Sequence, residues 1–232
     1  LDLNRPVVNT AGARYCFTAL GDYYTISATW KNTIEELYLP DEVTSVNSQF
    51  YDGSDLVMLR KLRLPARAAS IGGHAFRNCK QLADVENFLP PALTSVGVNA
   101  FYACTLITND VHFHRNFATF NEANPFDGGG ARAVRRCYFH GAPVTVPAAV
   151  FGSMTRLCFY VPRGDAGWRS YLDECCAVSA IEAGQEAAFE AAYPGEKIPR
   201  YMVKIPAAAT AWRYLGDWWP GGAPPGLTLL LR

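Results

Sequence analysis

Residues 70–82 read SIGGHAFRNCKQL, and residues 95–107, 25 positions later, read SVGVNAFYACTLI. Both segments carry a glycine, an Ala-Phe pair and a cysteine at equivalent places. The same step of 25 residues separates five aromatic residues: Tyr51, Phe76, Phe101, Phe126 and Phe151. A fixed period of this length indicates a chain built from stacked structural repeats.

Apolar residues around each aromatic keep the same spacing. Five residues earlier stand Val46, Ile71, Val96, Asn121 and Val146. The fourth copy alone, with Asn121, Gly129 and Arg132, loses much of this pattern. Leucines two apart, the spacing of a strand with one buried face, occur earlier in the unit: Leu37, Leu39, Leu62 and Leu64.

Each unit is too small to bury its apolar side alone, so successive copies must stack and share one core. We therefore predict that Phe76, Phe101 and Phe151 point into that core. Cys79 and Cys104 occupy equivalent places in neighbouring copies, and we predict that both are reduced and buried.

Segments 70–82 and 94–104 resemble the bacterial BspA-type leucine-rich repeats, which read approximately L-P-x-x-V-T-S-I-G-x-x-A-F-x-x-C. A weaker similarity extends from about Ile34 to Leu172, and residues 160–164 with Trp168 and Tyr171 resemble the segment that closes such arrays. The first copy departs from the pattern, with Tyr51 and Ser54 in place of Phe and Cys. The resemblance implies an α/β-type repeat solenoid, a right-handed coil with short parallel strands, mostly β and irregular, with few helices.

The chain divides into three predicted parts. Residues 1–33 form an N-terminal cap, and residues 34–176 form about five 25-residue repeats with a closing segment. Residues 177–232 form a C-terminal extension. In it, alanines at helical spacing between Glu182 and Tyr193 predict a short helix, and Leu227 to Leu231 indicate a possible small β unit.

Composition excludes some classes of partner. Lys and Arg number 21, as do Asp and Glu, so no basic surplus exists to bind a nucleic-acid backbone. The longest apolar run, Leu227 to Leu231, is far shorter than the roughly 20 residues that span a bilayer. The chain starts at Leu1 without a leader, which we interpret as removal of a targeting signal. Seven cysteines cannot all pair within one chain, so at least one is free.

Four local patterns suggest chemistry, and each has a plainer structural interpretation. His112 and His114 share one strand face, but a metal site would need a third ligand from elsewhere. Cys137 and His140 lack an oxyanion-hole or orienting motif. Gly128-Gly129-Gly130 lacks the Lys-Ser/Thr of a phosphate loop, and adjacent Cys175 and Cys176 are awkward to bridge. We expect no catalytic residue, metal or cofactor.

A candidate ligand surface follows from strand alternation. If Leu37, Leu39, Leu62 and Leu64 point inward, an aromatic-rich stripe faces outward: Tyr38, Arg63, Phe88, Phe113, Tyr138 and Tyr160. A slip of one residue would reverse each side chain. Asn87 and His112 would make poor core residues, so the register of the third and fourth copies stays open.

The resemblance implies a bacterial adhesion-type module, located outside the cell or on its surface, that binds a protein or glycan ligand such as a host extracellular protein. We expect binding and not catalysis. The alternatives are an architectural spacer of a larger surface protein, or an enzyme whose site has no recognised motif. Specific capture of a ligand would separate the first from the second, and convergent ionisable groups in a pocket would favour the third.

Overall fold

The computed structural model of the chain describes residues 2–3, 7–8, 14–15, 33–48, 56–120, 124–126, 133–152, 154, 157–162 and 164–218. Most of the predicted cap and the end from 219 onward lie outside these ranges. So do several residues named above: Cys16, Tyr51, Ser54, Asn121, Gly128, Gly129, Gly130 and Arg132.

Short parallel strands recur once per coil in the first part of the array. An antiparallel pair, β1 (Val7–Val8) and β2 (Arg14–Tyr15), precedes them. The strands β3 (Glu36–Tyr38), β5 (Lys61–Arg63) and β7 (Asp84–Glu86) form one parallel sheet. The strands β4 (Ser45–Val46), β6 (Ser70–Ile71) and β8 (Ser95–Val96) form a second sheet.

The second part of the array continues with β9 (Val111–Phe113), β10 (Arg136–Phe139) and β11 (Cys158–Pro162), which pair in parallel. Next come helix α1 (Ala166–Cys175), β12 (Ala177–Ala180) and helix α2 (Ala183–Ala192). The last elements are β13 (Tyr201–Lys204) and β14 (Arg213–Trp218). Because β14 pairs in parallel with β11, the C-terminal strands extend the sheet of the array in the order β12-β13-β14-β11-β10-β9.

This architecture confirms the predicted repeat solenoid with short parallel strands and few helices. A single apolar cluster runs through the coils and contains the repeat phenylalanines. The ring of Phe101 stacks on Phe76 at 5.5 Å and on Phe126 at 6.2 Å between centroids. Phe151 is also buried, so the predicted inward orientation of Phe76, Phe101 and Phe151 is confirmed.

Two buried cysteines accompany these rings. Cys79 and Cys104 are free thiols with no exposed surface, as predicted. The Cys104 thiol donates a hydrogen bond to the carbonyl oxygen of Phe76 in the preceding coil, at 3.0 Å. The repeated cysteine therefore fills space beside the phenylalanine stack and also satisfies a backbone acceptor.

The two walls of the solenoid keep different spacing. Pairing of β4, β6 and β8 preserves the 25-residue step, since Ser45 pairs with Ser70 and Ser70 with Ser95. On the other wall, Lys61 pairs with Asp84, a step of 84 − 61 = 23 residues. Further along, Val111 pairs with Cys137, a step of 137 − 111 = 26 residues. The wall that carries the candidate ligand surface therefore shifts its register between coils.

The outward orientation predicted for Phe88 and Phe113 is wrong. In the third coil the strand ends at Glu86, and left-handed backbone at Asn87 (φ 58°) and Leu89 (φ 54°) turns Phe88 into the core. Its ring meets Phe101 edge-on, with centroids 5.1 Å apart. In β9, the burial pattern places Val111 and Phe113 inward and leaves His112 half-buried on the outside. Burial of two phenylalanine rings outweighs a constant register.

The end of the array is closed by Trp168. The side chain of Asp165 caps α1 by accepting a hydrogen bond from the Trp168 backbone N–H at 2.9 Å. The buried indole packs against Phe139 and donates to the carbonyl oxygen of Gly141 at 2.7 Å. This bond satisfies the one polar atom of the indole, so the ring can cover the apolar end of the coil.

Candidate ligand-binding face

The outward side chains of β3, β5, β7, β9 and β10 form a continuous surface, called here the strand face. Inward positions of these strands are apolar and buried, for example Leu37, Leu62 and Val85. The strand face comprises Glu36, Tyr38, Lys61, Arg63, Asp84, Glu86, His112, Arg136 and Tyr138, with Asp110, His114 and His140 at the strand ends. Register pairing sets these side chains in rows that run from coil to coil.

The structure brings together four of the six residues predicted to line the ligand surface. Tyr38 and Arg63 lie side by side in paired positions of β3 and β5. Tyr138 and Tyr160 lie side by side in β10 and β11. Glu86 and His112 stand where Phe88 and Phe113 were expected, and the polarity of His112 was the signal that could have located it.

Ion pairs and hydrogen bonds dominate the first half of the strand face. The Tyr38 hydroxyl donates to the Glu36 carboxylate at 2.8 Å, a bond that raises the pKa of Tyr38. Lys61 lies 3.8 Å from Asp84. Arg63 contacts two carboxylates, Asp41 at 2.7 Å and Glu86 at 3.3 Å. These charged groups hold one another in place across three coils.

Stacked rings dominate the second half. The ring of Tyr138 lies between His112, at 4.7 Å and 8° from parallel, and Tyr160, at 4.6 Å and 17°. A second stack joins His114 to His140 at 5.0 Å and 8°. Burial raises the pKa of Tyr138 to about 12, so its hydroxyl stays protonated at neutral pH. The rings stand edge-outward like plates in a rack, with little freedom to reorient.

Three of the four histidines of the chain meet in this half of the strand face. The Nδ1 atom of His112 lies 2.8 Å from the Nε2 atom of His140, so one ring donates a proton and the other accepts it. Burial lowers the pKa of His112 and of His114. Burial, followed by His114, His112 and Arg115, lowers the pKa of His140 to about 4. The cluster is therefore neutral at pH 7.

The chemical patterns singled out in the sequence separate in three dimensions. His140 comes near His112 and His114 from the next coil, yet no set of three or more His, Cys, Asp or Glu side chains in the described part of the chain is arranged to hold a metal ion. Cys137 faces the core, where burial raises its pKa well above the ordinary value, while His140 faces outward. Cys175 is exposed and Cys176 half-buried, and both are free thiols.

A groove interrupts the strand face between the third and fourth coils, where β7 and β9 do not pair. The side-chain amide of Asn109 bridges part of this gap, accepting from the Val85 N–H at 3.0 Å and donating to the Val85 carbonyl at 3.2 Å. The groove has a volume of about 600 Å³. It is lined by Asp84, Val85, Glu86, Asn87, Phe88, Leu89, Pro90, Pro91, Asn109, Asp110, His112 and His114.

The C-terminal extension bounds the strand face at its other end. Phe189 and Tyr193, from α2 and its cap, form a small buried cluster with Cys158 of β11. The Tyr193 hydroxyl donates to the Arg135 carbonyl at 3.2 Å, and Arg136 forms an ion pair with Glu196. Residues 189–196 thus cover the row beside Tyr160, and the accessible part of the face runs from β3 to β10. In the described part of the chain, no helix is both long and apolar enough to cross a membrane.

Comparison with known proteins gives one family match. Residues 27–126 match the model of the BspA type leucine rich repeat region, in 6 copies. The comparison with curated proteins gives no match.

Similar solved structures come from three bacteria. A leucine rich repeat protein of T. pallidum is 16% identical, with a TM-score of 0.38, over 60% of this chain and 82% of that one. A leucine rich cell surface protein of Faecalibacterium prausnitzii is 14% identical, with a TM-score of 0.37, over 67% and 52%. A leucine-rich repeat protein of Bacteroides ovatus is 14% identical, with a TM-score of 0.34, over 67% and 46%.

The family match coincides with the coils in which the 25-residue spacing, the phenylalanine stack and the paired short strands are observed. The repeat array over residues 27–126 is therefore a BspA-type leucine-rich repeat region.

Proposed function

We propose that this chain is a binding module that recognises a protein partner through the strand face. The observation that carries the proposal is the row of paired positions from Tyr38 and Arg63 to His112 and Tyr138, all on one side of the sheets. These side chains are large, planar or charged, and held by neighbours in the next coil. Rigid aromatic and arginine anchors of this kind contribute most of the binding energy in protein interfaces, because little conformational entropy is lost on binding.

The family supports protein binding as the general function, since stacked repeats present extended recognition surfaces. We further propose an adhesion role outside the cell or at its surface, with a host extracellular protein as the partner. This finer part rests on the resemblance to BspA-type repeats. An architectural spacer would have no need of the stacked rings and shared ion pairs of the strand face.

We propose no catalytic function. Among the described residues, the buried thiols of Cys137 and Cys158 have pKa values raised by burial, which opposes formation of a nucleophilic thiolate. The histidine cluster lies on the outer surface, where His112 bonds His140 and not a hydroxyl or thiol nucleophile.

The experiment is capture of purified extracellular-matrix and serum proteins on an array, with a glycan array in parallel. The test variant replaces Tyr38, Arg63 and Tyr138 together with Ala. The control variant replaces Tyr102 and Arg67, which lie off the strand face, with Ala. Thermal unfolding verifies that both variants fold.

We expect capture of a specific protein by the wild type and the control variant, with loss in the strand-face variant. Equal capture by the strand-face variant would place the binding surface elsewhere. Capture of glycans alone would refute a protein partner. Silence on both arrays would favour the spacer.

A further inference from the structure

The groove between the third and fourth coils exists because of the register shift described above. The 23-residue step places β7 early, and the chain then spends four residues, Asn87 to Pro90, turning Phe88 inward before the next wall begins. Since β7 and β9 do not pair, the strand face opens at this point and exposes the edge of the third coil. Asn109 holds the two sides together through Val85.

The lining of the groove is acidic at its rim. Three carboxylates, Asp84, Glu86 and Asp110, belong to the lining, which includes no Lys or Arg among the described residues. The two histidines that line it have pKa values lowered by burial and are neutral at pH 7. The groove is therefore a locally negative site in a chain whose formal net charge is zero.

The cations beside the groove are shared with other carboxylates. Arg63 lies 2.7 Å from Asp41 and 3.3 Å from Glu86, so its closer contact is outside the groove. Arg136 divides its guanidinium between Glu196 and Asp110, and the contact with Asp110 is 3.4 Å.

Lys61 contacts Asp84 at 3.8 Å. Three cations thus serve five carboxylates, and the groove carboxylates hold the longer contacts. An ionised carboxylate offers about four acceptor sites, so each retains capacity for a further donor.

The walls of the groove suit one cationic side chain better than others. Val85, Phe88, Leu89, Pro90 and Pro91 supply apolar surface that can contact an aliphatic stem. His112 stacks one face on Tyr138, so its opposite face is turned toward β7 and the groove. A guanidinium is planar, stacks on aromatic rings and binds carboxylates through two parallel hydrogen bonds, whereas an ammonium does neither.

We propose that this groove binds an arginine side chain of the partner polypeptide, with the guanidinium between the His112 ring and the carboxylates of Glu86 and Asp84. The inference rests on the proposed function, because it names the chemistry of the partner that the strand face recognises. The rest of the strand face then contacts the chain on either side of that arginine.

The test uses fluorescein-labelled glycine peptides that carry three arginines, three lysines or three glutamines. Binding to the full chain is measured by fluorescence anisotropy at low and at physiological salt. The groove variant is Asp84→Asn with Glu86→Gln. The control variant is Glu42→Gln with Asp173→Asn, which changes the net charge equally at exposed positions off the strand face.

We expect the arginine peptide to bind the wild type more tightly than the lysine peptide, and the glutamine peptide not to bind. The groove variant should lose at least about tenfold in affinity for the arginine peptide. The control variant should stay within about twofold of the wild type, since exposed ion pairs contribute little. If the double variant does not fold, Glu86→Gln alone provides the comparison.

Three results would overturn the inference: no binding of the arginine peptide, equal affinity in the groove variant, or equal binding of the lysine peptide. The array experiment distinguishes this failure from that of the proposed function. Protein capture that requires Tyr38, Arg63 and Tyr138, without arginine-peptide binding, would refute only the groove. Arginine-peptide binding without any protein capture would refute only the proposed function.

Discussion

Replacing Phe101 with Ala tests whether the phenylalanine stack holds the coils together. Phe101 has no exposed surface and contacts three other rings: Phe76 and Phe126 by stacking, and Phe88 edge-on at 5.1 Å. Burying a phenylalanine side chain stabilises a protein by roughly 1.5–3 kcal/mol. Each aromatic pair adds about 0.5–1.5 kcal/mol.

The expected cost of Phe101→Ala is therefore about 4 kcal/mol, within the roughly 3–5 kcal/mol typical of such truncations. The value lies above the transfer contribution alone because rings from neighbouring coils cannot collapse into the cavity without leaving their own stacks. Since the free energy of unfolding of a domain is about 5–15 kcal/mol, this is a large fraction of the total.

The assay is urea unfolding followed by far-ultraviolet circular dichroism, with Val98→Ala as the control. Val98 is 43% exposed, and its truncation should change the free energy of unfolding by no more than about 0.5 kcal/mol. Hydrogen exchange should also accelerate in β6 and β8, which flank the ring, more than in the C-terminal extension. A loss below about 1.5 kcal/mol, or one no larger than that of Val98→Ala, would refute the reasoning.

Four further outcomes are expected. Gly97→Ala should destabilise the array strongly, because the new Cβ would lie 2.4 Å from backbone of the preceding coil, whereas Gly184→Ala, with nothing within 4 Å, should leave stability equal or raised in thermal unfolding. Asn109→Ala should cost about 2 kcal/mol in urea unfolding by removing two hydrogen bonds to backbone, and Asn109→Asp should recover part of it. The pKa of His140 is about 4 when folded and 6.5 ordinarily, so the unfolded chain binds more protons between these values; stability should fall as pH drops from 6.5 toward 4, and His140→Gln should flatten the profile. Cys175 should react with iodoacetamide before the other described cysteines, as peptide mapping by mass spectrometry would show; equal labelling of the buried thiols would contradict the fold.

The 25-residue spacing alone was enough to predict the solenoid, its inward phenylalanines and its buried cysteines. Phe76, Phe101 and Cys104 repeat because each coil must fill the same internal space, so the demand of the core is written periodically in the chain. The wall formed by β4, β6 and β8 follows the same period, and its pairing could be read from the sequence.

Tertiary packing decided the strand face. The third coil has surplus residues after its strand, and their placement depended on whether Phe88 gains more from burial against Phe101 than the sheet gains from continuous pairing. Only distant contacts answer that question, because strand alternation is the same in either register apart from which face is buried.

The same holds for the groups that give the candidate site its chemistry. His140 bonds His112 across 28 residues, and Arg136 reaches Glu196 across 60. Neither separation is a multiple of the repeat, so the period of the sequence could locate the face in general but not these partners. The sequence by itself determined what each coil buries, because burial is a local and repeated requirement; the folded chain decided which polar groups meet on its surface, because that depends on the register of each coil against the next.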